Sequence, residues 1–356
     1  MDIQGYKPKK VIVEPESADS PLAEKMKVFG SGGEARAKET VRLTLNKGPA
    51  IRSCPGTREY ICCGYQILHV GTGCPLNCSY CILQAYLNEE DLRVFTDWDH
   101  IAREIGVLSR SHPDQVFRLG TGEFTDSLYL DHLSKFSLYV TPLIQRTNNM
   151  VLEFKSKTVN IGNLLKLKNT DRIIVSFSLN SPHIVKSEEH RAASLSARLD
   201  AAHRCEDHGF KIGFHFDPLI RHKGWQDGYS ETVERMFTAV DPANVIWISL
   251  GCLRFMPELK DIIKERFPQS PIIYEEFITG LDGKLRYFNP LRIEMFSFLE
   301  SSIKHYAPDV LTYLCMESDA IWRNSLGRSP GSSERLKQWL DQRALDFFPS
   351  LKRHAS

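Results

Sequence analysis

Six short apolar runs, at 65–70, 116–120, 150–154, 173–178, 211–216 and 244–249, alternate with segments of helical period, and this alternation leaves few folds open to the chain. Runs such as Arg172-Ile173-Ile174-Val175-Ser176-Phe177 are nearly continuous in apolar residues. Strands of a parallel sheet covered on both faces need that pattern. Helices are expected near 97–110, 130–145, 160–168, 194–208, 229–240 and 257–266. Ile101, Ile105 and Leu108 mark one apolar helix face, and Leu195, Leu199 and Ala202 another. Gly209 follows the fourth helix as a left-handed cap. Six strand–helix units in succession predict an α/β fold, an open, partial (βα)6 barrel of the TIM type, with its chemistry at the C-terminal ends of the strands.

On either side the rhythm changes. Residues 1–50 read as an N-terminal extension: Lys10-Val11-Ile12-Val13-Glu14-Pro15 has the look of an edge strand, Pro21 opens a short helix, and Gly30-Ser31-Gly32-Gly33-Glu34 is a flexible break. The barrel is expected over 51–270 and a C-terminal hairpin and helical region over 271–356. The hairpin is signalled by Asp282-Gly283 between the apolar runs 272–277 and 285–288. A long amphipathic segment over 291–306, a strand-like Leu311-Thr312-Tyr313-Leu314-Cys315 and a helical tail complete the chain. Ile321, Trp322, Leu326, Leu336, Trp339 and Leu340 give the tail an apolar face that packs on the barrel.

Just past the first strand lies Gly71-Thr72-Gly73-Cys74-Pro75-Leu76-Asn77-Cys78-Ser79-Tyr80-Cys81. Three residues separate Cys74 from Cys78 and two separate Cys78 from Cys81, so one loop can bring three thiolates together. A structural zinc ion takes four protein ligands, and the upstream thiols Cys54, Cys62 and Cys63 have no neat paired spacing with the trio. A [4Fe–4S] cluster held by three thiolates keeps one iron open for another ligand. Zinc with Cys54 or Cys63 as fourth ligand, in a non-enzymatic module, is the alternative.

Other strand ends carry polar groups. Gly120-Thr121-Gly122-Glu123 combines small residues, which let backbone approach a ligand, with a carboxylate that can accept from an ammonium group. Ser178 and Asn180 follow the fourth strand and are candidates for a cofactor's carboxylate or ribose. His215, before Phe216-Asp217-Pro218, is a candidate for its adenosine or for the substrate. Lys155 and Lys157 follow the third strand and face the same mouth.

The three-then-two cysteine spacing, with Tyr80 as the aromatic before the third, resembles the cluster loop of the radical-SAM superfamily. That resemblance implies a [4Fe–4S] cluster on Cys74, Cys78 and Cys81, S-adenosylmethionine on the open iron, and a 5′-deoxyadenosyl radical that abstracts a substrate hydrogen. Gly120, Gly122 and Glu123 then match the Gly-Gly-Glu-like segment that holds the methionine amino group. A narrower resemblance is to the spore photoproduct lyase family, which reverses a thymine-dimer lesion in DNA. It is carried by Lys10-Val11-Ile12-Val13-Glu14-Pro15, Leu83-Gln84, Thr125-Asp126, Asp131-His132-Leu133, Gly224-Trp225, Gly228-Tyr229 and Arg286-Tyr287, from about residue 8 to about 315.

That family's pattern implies that Arg286 and Tyr287 enter the lesion site from the hairpin, that Lys157 contacts the lesion region, and that Tyr80 assists radical transfer. A second tyrosine of the pattern is Ile82 here. The family's hydrogen-donating cysteine aligns with Glu123, and a carboxylate cannot give up a hydrogen atom as a thiol does. The donor is therefore sought in Cys315, Cys252 or Cys63.

Composition sets outer limits. Charged residues make up 25% and hydrophobic residues 42% of the 356, as in ordinary globular proteins. Nine cysteines and the lack of an apolar signal-length core near Met1 predict a cytoplasmic protein without a membrane span. A net charge of +1 gives no global field toward nucleic acid, so DNA would need a local basic groove. A radical-SAM reaction also implies a one-electron donor such as flavodoxin or ferredoxin. Action on a small molecule or peptide is the alternative substrate reading.

Overall fold

The computed structural model describes residues 6–30, 38–57, 59–87 and 91–351. Its strands run along the chain as β1 (Lys10–Val13), β2 (Thr40–Thr44), β3 (Ile51–Ser53), β4 (Gln66–Leu68), β5 (Gly71–Thr72), β6 (Leu92–Phe95), β7 (Phe117–Gly120), β8 (Met150–Ser156), β9 (Ile173–Ser178), β10 (Lys211–Leu219), β11 (Val245–Cys252), β12 (Arg254–Phe255), β13 (Phe277–Thr279), β14 (Leu285–Tyr287) and β15 (Thr312–Leu314). The main sheet has the order β15-β11-β10-β9-β8-β7-β4-β3. Every neighbouring pair from β4 through β15 is parallel, and β3 pairs antiparallel with β4 at the edge.

The six expected strands are β4 and β7 through β11. The sheet then adds β15 as a further parallel strand, where the sequence suggested only a detached strand-like piece. β9 and β11 are buried along their whole length, because helices and the C-terminal tail cover the sheet. Their side chains alternate in direction, so His215, Ser178 and Ser249, which are in register across β10, β9 and β11, share one face.

The expected helices lie at Trp98–Ser111, Leu195–Asp207, Trp225–Ala239 and Pro257–Arg266, and the one expected over 130–145 divides into Asp131–Ser134 and Phe136–Gln145. Serine side chains cap several starts: Ser194 accepts from the Ala197 amide and Ser318 from the Ile321 amide. Gly209 has φ +97°, as the cap reading requires. One expectation fails. The segment 160–168 forms only a single 3-10 turn, Leu164–Lys166. Asn160 and Asn163 spend their amides on the carbonyls of Leu128, Tyr129 and Asp131, and Gly162 lowers helix propensity further.

The extension is tied into the body. β1 and β2 form a second sheet with β6 and β5, in the order β1-β2-β6-β5, and so brace the loop that carries the cysteines. Of the glycine-rich break, residues 31–34 lie outside the described residues. The tail packs through buried Trp322, Leu336 and Leu340, and Arg118 of β7 pairs with Asp341 at 2.9 Å. Among the described residues no helix is long and apolar enough to cross a membrane.

Candidate active site

A cavity of about 320 Å³ opens at the C-terminal ends of the parallel strands and is edged on one side by the cysteine loop. The loop turns through Gly73 at φ +86° and Asn77 at φ +56°. The segment after β9 clamps it: the Ser79 amide donates to the Glu188 carbonyl and the Arg191 amide to the Leu76 carbonyl, both at 2.9 Å. Gln84 adds donations to the carbonyls of Cys78 and Ser79 at 3.2 and 2.9 Å.

Cys74, Cys78 and Cys81 all line the cavity. Among the described residues, no three His, Cys, Asp or Glu side chains close on the position of a single ion. Three thiolates that each bind a different iron need no such point, whereas tetrahedral zinc does. Burial pushes the Cys78 thiol up to about 12, Glu189 adding to the effect and Lys157 opposing it, and burial pushes Cys74 well up too. Such thiols ionise only beside strong positive charge, which cluster irons supply. The donor set and the room beside it fit a [4Fe–4S] cluster.

Glu189 is the hub behind the loop. Its carboxylate accepts from Tyr80, from Arg198 and, at 3.2 Å, from Lys157, whose ammonium lies 5.4 Å from the centroid of the Tyr80 ring. Burial pushes this carboxyl upward, but the charges of Arg198 and Lys157 and the hydrogen bonds from Tyr80 and Arg198 outweigh it and hold Glu189 at about 2. The Lys157 amide donates to Asp126 at 2.8 Å, so the ends of β7 and β8 are fixed together.

Opposite the loop, Glu123 pairs with Lys155. Glu153 of β8 accepts from His215 at 2.8 Å, from Trp247 at 3.2 Å and from Ser176. Asp217 holds Arg254 by two contacts of 3.1 Å, and Arg254 reaches the Cys315 sulfur at 3.3 Å. Lys284 of the hairpin meets Asp282 at 3.1 Å. Each lysine and arginine of the cavity wall therefore already has a carboxylate partner.

The sequence profile of spore photoproduct lyase matches residues 34–278, well over half of the chain. The chain belongs to the spore photoproduct lyase family. This is a family of radical-SAM enzymes that use a [4Fe–4S] cluster and S-adenosylmethionine, and the chain is an enzyme of that kind. Spore photoproduct lyase of Geobacillus sp. (strain Y412MC61) is 25% identical over 298 residues, 76% of this chain and 86% of the relative. The Bacillus subtilis (strain 168) lyase is 24% identical over 243 residues, covering 67% and 69%. Among solved structures, a spore photoproduct lyase double mutant with bound AdoMet and dinucleoside spore photoproduct superposes with TM-score 0.77 at 23% identity, over 87% of this chain and 100% of the other, and so shares the fold.

Within this family member, the cavity brings together Cys74, Cys78, Cys81, Tyr80, Gly122, Glu123, Lys157, Ser178, His215 and Cys315. Four expected site residues do not reach it. Gly120 lies under the Tyr65 phenol: a Cβ there would sit 1.2 Å from the hydroxyl oxygen, so the space that glycine leaves is filled by protein. Asn180 is fully buried, donating to the Pro218 carbonyl at 2.9 Å and accepting from Tyr229 at 2.6 Å. Arg286 is buried against Asp282 at 2.7 Å and stacks on the Tyr60 ring at 4.0 Å. Tyr287 is buried on Phe277, its oxygen accepting from the Arg221 amide at 3.1 Å. On the hairpin, Lys284 faces the cavity instead.

Cys252 is buried outside the cavity wall, whereas Cys54, Cys63 and Tyr65 line it. Sequence reasoning missed Glu153 and Glu189. Glu153 carried a signal, a lone carboxylate inside the apolar run Met150-Val151-Leu152-Glu153-Phe154; Glu189 carried none, since Glu188-Glu189 reads as a solvated helix end.

Proposed function

We propose that this enzyme acts on a thymine lesion in DNA, with Cys74, Cys78 and Cys81 holding three irons of the cluster and S-adenosylmethionine on the fourth. The observation that carries this reading is the single cavity shared by the three thiols and the polar ends of β7 to β11. Together the bound groups supply a 5′-deoxyadenosyl radical for hydrogen abstraction. The chain's own residues bind and orient. Glu123 accepts from the cofactor's ammonium group beside Lys155, Ser178 and His215 meet its carboxylate and ribose side, and Gly122 lets β8 close against this turn, since a Cβ there would lie 2.9 Å from the Lys155 Cβ. Lys157, next to Tyr80, faces the lesion. Tyr80 holds the loop through Glu189 and sits on the path of radical transfer. The apolar cavity wall, including Leu76, Ile82, Leu83 and Leu253, excludes water from the reacting atoms.

A cytoplasmic location and an electron donor of the flavodoxin or ferredoxin type belong to the same reading. One observation favours the alternative of a small-molecule or peptide substrate: the cavity cations are all paired, so a phosphodiester finds none waiting.

The test is anaerobic reconstitution with iron and sulfide, then incubation with S-adenosylmethionine and dithionite, with and without UV-irradiated spore-type DNA. 5′-Deoxyadenosine together with restored thymine supports the proposal. 5′-Deoxyadenosine with an untouched lesion assigns another substrate to the same radical chemistry.

A further inference from the structure

A radical reaction that begins by removing a hydrogen atom from its substrate ends with a product radical that must regain one. The expected place for a donor holds Glu123, which is tied to Lys155 and has no transferable hydrogen atom. The cavity has other thiols: Cys54, Cys63 and Cys315 line it in addition to the cluster trio.

Of these, Cys315 has a built setting. It follows β15, and its amide donates to the Leu250 carbonyl at 2.8 Å, which fixes the sulfur at the mouth of the sheet. Arg254 lies 3.3 Å from that sulfur and is itself oriented by two 3.1 Å contacts to Asp217. Among the described residues, neither Cys54 nor Cys63 has a cation hydrogen-bonded to its sulfur. Tyr65 lines the same wall, but its hydroxyl is turned into the protein against Gly120, so among the cavity thiols the setting of the Cys315 sulfur rests on Arg254 and Asp217.

We propose that Cys315 is the hydrogen-atom donor to the product radical, with Arg254 as its positioning residue; this rests on the radical-SAM lesion reading above. The S–H bond of Cys315 breaks homolytically, a C–H bond forms on the product, and a thiyl radical remains. One electron from the low-potential one-electron donor that the reaction already requires reduces the thiyl to a thiolate, which the Arg254 guanidinium stabilises. A proton from solvent then restores the thiol. Burial works in the same direction beforehand: it pushes the Cys315 thiol well up despite Arg254, so the group keeps its hydrogen at neutral pH.

The test uses the reconstituted enzyme equilibrated in deuterated water, where thiols exchange, with dinucleoside spore photoproduct as substrate. Wild type should place one deuterium in the restored thymine. Cys315→Ser should still form 5′-deoxyadenosine while the yield of labelled thymine per 5′-deoxyadenosine falls by about tenfold or more, equivalent to about 1.4 kcal/mol or more. In the cluster-free protein the dinucleoside should slow alkylation of Cys315, read by peptide mass spectrometry, by about tenfold at ten times its dissociation constant. Full labelling by Cys315→Ser, loss of label with Cys54→Ser or Cys63→Ser instead, or unchanged alkylation of Cys315 each overturns the assignment. Failure of wild type to reverse the lesion defeats the underlying reading, and the donor assignment with it.

Discussion

Lys155 donates to the carboxylate of Glu123 across the ends of β7 and β8, so the residue expected to receive a cofactor ammonium already holds one cation. The Glu123 carboxylate has further lone pairs free to accept, and a second ammonium can share it. Glu123→Gln removes the charge but keeps the shape. A hydrogen bond to a charged group is worth about 1.5–3 kcal/mol, so affinity for S-adenosylmethionine should fall by about tenfold or more. Titration of the unreduced, cluster-loaded protein measures this directly. Unchanged affinity would remove Glu123 from the cofactor site.

Glu189 gathers Tyr80, Lys157 and Arg198 behind the cysteine loop. Glu189→Gln leaves two cations facing a neutral amide, and breaking a buried pair of this kind costs about 3–5 kcal/mol. The loop should loosen as well. Denaturant unfolding of the cluster-free protein reads the first effect, and iron and sulfide content after reconstitution reads the second. A destabilised variant that still binds a full cluster would show that Glu189 supports the fold but not the loop.

Gly120 gives a sharper geometric case. An added Cβ would lie 1.2 Å from the Tyr65 oxygen and 2.1 Å from its ring carbon. Gly120→Ala should therefore destabilise by at least the ~1–3 kcal/mol typical of overpacking. Combining it with Tyr65→Ala should cost less than the sum of the two single changes, because the second change removes the clash. Tyr65→Phe alone should leave stability unchanged or raise it, by up to about 1–3 kcal/mol, since the buried hydroxyl it deletes has no partner among the described residues. Thermal melts of the four variants decide the matter, and strict additivity of Gly120→Ala with Tyr65→Ala would contradict the packing described here.

What could be read from sequence was local. The cysteine loop is legible because spacing alone can place three sulfurs together, and strand ends are legible because a parallel sheet puts them on one rim. Gly120 lies off the cavity because a small residue announces space without saying what fills it, and Tyr65 fills it from 55 positions away in the chain. Arg286 and Tyr287 look like reactive groups on an exposed hairpin. Their burial depends on Tyr60, Phe277 and Arg221, brought there by the tertiary fold. Glu189 was invisible for the same reason, since its three donors come from separate segments. The apolar residues at 161, 164, 165 and 167 do have helical spacing, yet hydrogen bonds from the flanking asparagines to other loops stop the helix after one turn.

The buried carboxylate of Glu153 makes stability depend on pH in a calculable direction. Burial alone would raise it above its ordinary value of 4.5, but the nearby His215 and the hydrogen bonds from His215 and Ser176 hold it at about 2. A carboxyl lowered in the folded state binds fewer protons than in the unfolded chain. Its contribution is therefore complete above 4.5 and is lost as pH falls toward about 2. Glu153→Gln cannot make that contribution and also leaves His215 without its anion. The stability gap between wild type and Glu153→Gln should be on the order of 3–5 kcal/mol at neutral pH. It should narrow steadily below about pH 4, because the unfolded chain takes up a proton at its ordinary 4.5 while the folded carboxyl, held at about 2, stays ionised. Urea unfolding of both cluster-free proteins from neutral to about pH 3 follows the gap. A gap that stays constant across this range would mean that Glu153 acts by shape and hydrogen bonding alone, and that the charge drawn to His215 at the centre of the cavity is not what holds these strand ends in register.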